Sequence, residues 1–197
     1  MKELIVATKN QGKMREIRLL LKEFDLNVTS LADYPEAPEI IEDGASFADN
    51  ALIKAKIIGA YTGALVIGED SGIEIDYLDG APGIYSARYA GADATDEDNN
   101  EKMLTDLDGV TDDKRTARYQ CYVAIVDCQN TIDIVNGSCE GRLTTAPRGS
   151  NGFGYDPYFL IDEYGKTFGE LDPSIKASIS HRAKALIKVK EVFQKIL

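Results

Sequence analysis

The chain is poor in the residues that staple or ligate. Three cysteines among 197 residues, Cys121, Cys128 and Cys139, are odd in number and none is spaced as C-x-x-C. A disulfide framework and a zinc site are therefore not indicated, and all three thiols read as reduced and structural. One histidine, His181, leaves no Ser-His-Asp or Cys-His arrangement from which a nucleophilic triad could be read. No apolar run approaches the roughly 18 residues of a membrane span, and the stretch MKELIVA lacks a signal-peptide core and cleavage site. A cytoplasmic protein without a membrane partner is expected. Internal repeats, low-complexity blocks and Pro/Gly/Ser-rich linkers are missing too, so a single domain over residues 1–197 is expected. Positive charge is also short: 22 Lys and Arg face 33 Asp and Glu, a net charge of -11. That balance excludes a protein that works by blanketing nucleic acid or an anionic bilayer. It also raises the question of how such a chain would hold an anionic substrate.

What is present is an alternation of elements in a chain 44% hydrophobic, long enough to bury roughly 70% of its unfolded surface. Leu4 to Thr8 reads as a strand, followed by a helix with Ile17, Leu20, Leu21 and Phe24 on one face. Ser46 with Asp49 three residues on starts a second helix that Gly63 ends, and Asn50 and Lys54 share one of its faces. Leu65 to Gly68 is a buried strand running into Glu69-Asp70-Ser71-Gly72, a polar tetrad with the composition of a turn. Asp96 to Leu107 reads as a polar, solvent-facing helix. Thr116 to Val126 and Thr131 to Cys139 are strands joined by turn chemistry at Asp127 to Asn130. A last helix covers about Ser180 to Leu197, with Leu186, Val189, Val192 or Phe193, and Ile196 on one face. Strands mixed with helices imply an α/β fold with a mixed sheet.

Five parts of the chain carry possible chemistry. Thr8-Lys9-Asn10-Gln11-Gly12-Lys13 joins the first strand to the first helix, where free N–H groups and the helix dipole suit a phosphate. It lacks the Walker spacing, and an ordinary turn with a solvated lysine would have the same composition. Glu69 and Asp70 are adjacent on a strand, so their side chains point to opposite faces and only one enters a given site. That one can hold a divalent cation or orient a water. Glu39, Glu42 and Asp43, ahead of the second helix, offer a second ligand or base. Gly149 to Pro157 sets Phe153 and Tyr155 among glycines, which suits stacking on a nucleobase as well as it suits an aromatic plug over the core. Arg182 offers fixed donors to a keto oxygen, and Lys176 could reach phosphate.

Taken together, the stretches ATKNQGKMREI, SFADNALIKAK, EDSGIEIDYLDGAPGIYSARYAG, GFGYDPYF and SHRAKAL closely resemble the inosine triphosphate pyrophosphatase family, in family order and across essentially the whole chain. The resemblance implies a homodimeric, Mg²⁺-requiring hydrolase converting ITP, dITP or XTP to the monophosphate and pyrophosphate. It also implies an elongated mixed β-sheet flanked by helices, in two lobes with the active site in the cleft between them. Carried onto this chain, Thr8, Lys9, Asn10, Gln11, Gly12, Lys13 and Lys54 would bind the triphosphate. Glu42 and Asp70 would hold the metal, with Asp70 as proton acceptor, and Ser71 would contact substrate. Phe153 would stack on the base, Gly154, Tyr155 and Asp156 would complete its pocket, and Lys176, His181 and Arg182 would close over it. On this expectation Lys13, Lys54, Lys176 and Arg182 gather positive charge within an acidic protein. A phosphatase acting on another nucleotide or a sugar phosphate, and a nucleotide sensor using Phe153, are the competing readings.

Overall fold

The computed structural model describes residues 2–197. Seven strands pair in the order β2-β1-β3-β4-β5-β6-β7: β1 (Lys2–Val6), β2 (Leu26–Ser30), β3 (Leu65–Ile75), β4 (Thr116–Asp127), β5 (Asn130–Leu143), β6 (Phe159–Ile161) and β7 (Lys166–Thr167). β1 runs parallel to β2 and β3, whereas β5, β6 and β7 pair antiparallel, so the sheet is mixed as expected. Five α-helices accompany it among the described residues: α1 (Gln11–Leu20), α2 (Phe47–Thr62), α3 (Asp96–Asp106), α4 (Pro173–Ile179) and α5 (His181–Ile196). Among the described residues no helix is long and apolar enough to cross a membrane.

The chain forms two compact units. The first comprises residues 1–70, 121–137 and 181–197. Its strands are apolar on both faces, because alternate residues feed two separate cores. Leu4, Val6, Leu65 and Ile67 pack with α1 and α5 residues such as Met14, Ile17, Leu186 and Phe193. Ile5, Ala7 and Val66 face Ala51, Ala55 and Ile58 of α2. Small residues let α2 approach closely: a Cβ on Gly68 would lie 2.1 Å from the Ala51 carbonyl oxygen. The ends of α2 are those the sequence indicates, with the Ser46 hydroxyl accepting the Asp49 N–H at 3.1 Å and Gly63 in the left-handed region at φ 67°.

The second unit comprises residues 71–120 and 138–180. Its core joins Ile73, Ile75, Met103, Leu107, Tyr119, Tyr155, Phe159 and Phe168. Here α3 departs from the solvent-facing helix expected, since Asn99, Asn100 and Met103 are all buried. Asn99 satisfies itself on the backbone, accepting from Ala90 N–H at 2.8 Å and donating to the Ala87 carbonyl, so polar residues here do the anchoring. The expected turn at Glu69 to Gly72 is also absent; β3 continues unbroken from Leu65 to Ile75. A strand tolerates two adjacent buried carboxylates here because each finds cationic partners.

Candidate active site

Glu69 and Asp70 point to opposite faces of β3, and each face has its own cations. Asp70 turns to α2, where Lys54 Nζ lies 3.0 Å from Oδ1 and Asn50 Nδ2 donates to Oδ2 at 3.2 Å. The α2 periodicity that placed Asn50 and Lys54 on one face accounts for both contacts. Lys54 Nζ also meets Glu42 Oε2 at 2.6 Å and donates to the Glu69 carbonyl at 3.2 Å. Of the two neighbouring acids before α2, Glu42 is therefore the one that reaches the cluster, and Asp43 is exposed.

Burial and charge set the protonation of this cluster. Desolvation pushes the Asp70 carboxyl up, Lys54 and Lys13 pull it back, and Glu42 adds repulsion, leaving it above the ordinary aspartate range. Desolvation works against the Lys54 charge, yet attraction to Asp70 and Glu42 outweighs it and holds Lys54 above its ordinary value. The shared ammonium accounts for the Lys54 direction, and burial for that of Asp70.

Glu69 faces the other way, toward α1 and α5. Lys13 Nζ sits 3.0 Å from Oε2, Arg182 Nη2 3.2 Å from Oε1, and the Cys121 thiol donates to Oε1 at 3.3 Å. Arg182 is buried and its other terminal nitrogen is paired with Glu16. Burial opposes its charge, but Glu69 and Glu16 raise its pKa further. Burial, then Glu69, pushes the Cys121 thiol well up, so it stays protonated.

The Thr8 to Lys13 segment connects β1 to α1 through local bonds. Thr8 Oγ1 accepts the Asn10 N–H at 3.1 Å, and Asn10 Oδ1 caps α1 by accepting the Lys13 N–H at 3.0 Å. Lys9, Asn10 and Gln11 are exposed, while Thr8, Gly12 and Lys13 are half-buried. His181, buried, opens α5. A Cβ on Gly137 would lie 2.3 Å from the His181 carbonyl oxygen, so β5 and the first turn of α5 pack backbone to backbone.

In the second unit the glycine-rich loop is organised by Asp156. Its Oδ2 accepts the Phe153 N–H at 2.9 Å and pairs with Lys176 Nζ at 2.7 Å. A Cβ on Gly152, at φ 82°, would meet that oxygen at 1.9 Å, so only glycine leaves room for it. Lys176 Nζ lies 5.1 Å from the Phe153 ring centroid and 5.4 Å from that of Phe168. Phe153 is half-buried, whereas Tyr155 is core, its hydroxyl donating to the Ser86 carbonyl at 2.8 Å. Of the two readings of the loop, an aromatic plug describes Tyr155, and Phe153 keeps accessible surface. Ser71, half-buried, follows Asp70 on β3.

In the first unit Lys54 is thus tied to Asp70 and Glu42, and Lys13 and Arg182 to Glu69, while Lys176 pairs with Asp156 in the second. These four, expected to gather positive charge, are each paired with a carboxylate. Asn50 joins the Asp70 cluster, and Glu16 and Cys121 join the Glu69 cluster; the sequence does not single out any of the three as a site residue. Of these, only Asn50 carried a signal, its four-residue spacing from Lys54.

A mixed sheet packed with helices, and a buried lysine held between two carboxylates, define an α/β protein with a buried ion-pair cluster. The comparisons place it more narrowly. The chain belongs to the Ham1 family, whose model matches residues 4–192. It is 50% identical over 194 residues to a dITP/XTP pyrophosphatase of Shouchella clausii, covering 98% of each chain. It is 46% identical to one of Geobacillus kaustophilus, covering 100% of this chain and 97% of that one. Among solved structures, a HAM1 protein from Coxiella burnetii superposes with a TM-score of 0.90 at 37% identity, covering 99% of this chain and 100% of that one. The Staphylococcus aureus Ham1 protein gives a TM-score of 0.88 at 33% identity, covering all of both chains.

Proposed function

We propose that residues 1–197 form one Mg²⁺-dependent nucleoside triphosphate pyrophosphatase that hydrolyses ITP, dITP and XTP to the monophosphate and pyrophosphate, as a cytoplasmic homodimer. Such an activity keeps aberrant purines out of DNA and RNA. The observation that carries this reading is the Lys54 ammonium bracketed by Asp70 and Glu42 at 3.0 and 2.6 Å. Two carboxylates already converge on one cation there, and that donor set fits Mg²⁺, which commonly takes one or two carboxylates with phosphate and water completing its shell. The full-length relatives named dITP/XTP pyrophosphatase support the substrate class.

Glu42 and Asp70 would hold the ion, which when bound neutralises charge on the leaving pyrophosphate. Asp70 would orient water on the α-phosphorus and accept its proton as the bond from that phosphorus to the bridging oxygen breaks. The N–H groups at the start of α1, with Lys13 and Lys54, would bind phosphate oxygens, and Ser71 would contact substrate. Phe153 would stack on the base, with the backbone of Gly154 to Asp156 and the Lys176 and His181 side chains around it. Arg182 would separate a six-keto purine from adenine, because a donor satisfied by the keto oxygen is left unpaired against an amino group. To do so, it must exchange Glu16 or Glu69 for the base.

A panel of nucleoside triphosphates assayed for pyrophosphate and for orthophosphate, with Mg²⁺ and with EDTA, tests the reading. Pyrophosphate release that favours ITP, dITP and XTP and stops in EDTA is expected. Orthophosphate as the product, or undiminished turnover in EDTA, would reject it.

A further inference from the structure

Besides the Lys176 pair with Asp156, the base-stacking loop is held by polar contacts from α3. Asp96 and Asn100 lie one turn apart and share a face of that helix. Asp96 Oδ2 accepts the Gly154 N–H at 2.7 Å, and Asn100 Nδ2 donates to the Gly154 carbonyl at 3.1 Å. One residue's backbone is thus gripped at both its donor and its acceptor. Gly154 has φ 63°, a conformation open to glycine at little cost but not enforced by it. Together with the bond from Phe153 N–H to Asp156, these contacts fix the peptide groups on both sides of the Phe153 ring. The gripping helix is itself anchored: Asn99 bonds the backbone at Ala87 and Ala90, and Met103 lies in the core.

We propose that Asp96 and Asn100 are positioning residues for base binding: through Gly154 they hold the Phe153 ring ready for a flat purine. The inference rests on the reading of Phe153 as the stacking residue. A loop with glycines at 149, 152 and 154 in the left-handed region would otherwise lose conformational freedom when a base docks, and ordering it beforehand improves affinity without adding a contact to the ligand. Asp96 is exposed and Asn100 buried, so the two ends of the clamp can be cut with different risks to folding.

The chain contains no tryptophan, so Phe153→Trp introduces a single indole reporter at the ring itself. In that background, without nucleotide, fluorescence anisotropy should fall when Asp96→Ala or Asn100→Asp is added. Asn100→Asp keeps the shape but replaces the donor with an acceptor. Asp96→Asn, which retains an acceptor oxygen, should stay near the parent. In the protein with Phe153 intact, Asp96→Ala and Asn100→Asp should raise the ITP KM about tenfold, equivalent to the ordering of one or two side chains, with kcat within about twofold. Unchanged anisotropy in Asp96→Ala and Asn100→Asp, or a fall in anisotropy with no change in KM, would overturn the proposal. So would a loss in kcat at constant KM. If Phe153→Ala leaves the ITP KM unaltered, the stacking reading itself fails, while the anisotropy still reports on the clamp.

Discussion

Cutting the Lys54 cluster from its two sides should have very different consequences. Lys54→Met keeps the length of the side chain and removes its charge, leaving Asp70 and Glu42 close together with no ammonium between them. Asp70 is only 6% exposed, and stranding a buried charge typically costs about 3–5 kcal/mol. For a chain of this size each kcal/mol moves Tm by about 2–4 °C. Lys54→Met measured in EDTA should therefore melt roughly 6–20 °C below the parent. Asp70→Asn removes the other partner, but Lys54 keeps Glu42 at 2.6 Å and the Glu69 carbonyl at 3.2 Å. The two effects oppose each other. Asp70 has its pKa raised by folding, so at neutral pH its ionised form is held at a cost, and the amide relieves it. Lys54 has its pKa raised by folding, so its charge stabilises the fold below that value, and losing Asp70 gives up part of that. The net change should stay within about 1 kcal/mol, or roughly 4 °C, while pyrophosphate release falls at least about 100-fold. Calorimetry of both variants in EDTA, and titration with a non-hydrolysable ITP analogue in Mg²⁺, make the comparison. Equal melting temperatures for the two variants would refute the shared-ammonium argument, and near-normal turnover in Asp70→Asn would refute its role as proton acceptor.

Three further outcomes follow from the packing. Gly68→Ala places a methyl 2.1 Å from the Ala51 carbonyl and 2.7 Å from Ala55 N; displacing α2 should cost about 1–3 kcal/mol, and denaturant unfolding with kcat measured in parallel should show both stability and turnover reduced, because α2 carries Lys54. Glu69→Ala leaves Lys13 and Arg182 without a shared buried counter-charge, so urea unfolding should show about 3–5 kcal/mol lost, with Glu69→Gln intermediate. A thiol-reactive disulfide reagent should titrate one cysteine in the folded protein, the exposed Cys128, and three after denaturation, since Cys121 and Cys139 are buried; rapid reaction of Cys121 would contradict its raised pKa and its burial.

Much of this was legible in the sequence where local chemistry decides structure. The Ser46 cap, the Gly63 stop and the shared face of Asn50 and Lys54 are all set within one helix, and each appears as expected. The last helix is recovered within a residue, because its apolar face is long, whereas the first ends at Leu20, so Leu21 caps it and Phe24, expected on its face, lies beyond it. Short elements escaped: β6 has three residues, β7 two and α4 seven, too few for a periodicity to show. β2 was missed as well, being five residues of which only Ser30 is buried. The polar composition of Glu69 to Gly72 misled because turn chemistry assumes solvated side chains. Lys13, Arg182, Lys54 and Asn50 meet those carboxylates from elements distant in sequence, and no local pattern records that. The grip of Asp96 and Asn100 on Gly154 spans more than 50 residues of sequence and left no local signal either.

The acidic balance of the chain bears on the metal more directly than on the substrate. Lys13, Lys54 and Arg182 look from sequence like a reserve of positive charge, but in the first unit they are matched by Glu16, Glu42, Glu69 and Asp70. Lys176 is matched by Asp156 in the second. A triphosphate brings roughly four negative charges, and it would have to compete with carboxylates already at 2.6 to 3.2 Å from these cations. Attraction to uncompensated lysines cannot therefore be the main source of affinity. Under the proposed reading, the charge that makes binding favourable has to arrive with the nucleotide, as a divalent cation shared between its phosphates and the Glu42 and Asp70 carboxylates. Lys54 would then be released from one acid to meet a phosphate oxygen. The paired ground state also explains why a protein of net charge -11 can keep a cluster of buried lysine and arginine folded without its ligand: every one of these cations has a carboxylate waiting, and the substrate replaces a partner instead of supplying a missing one.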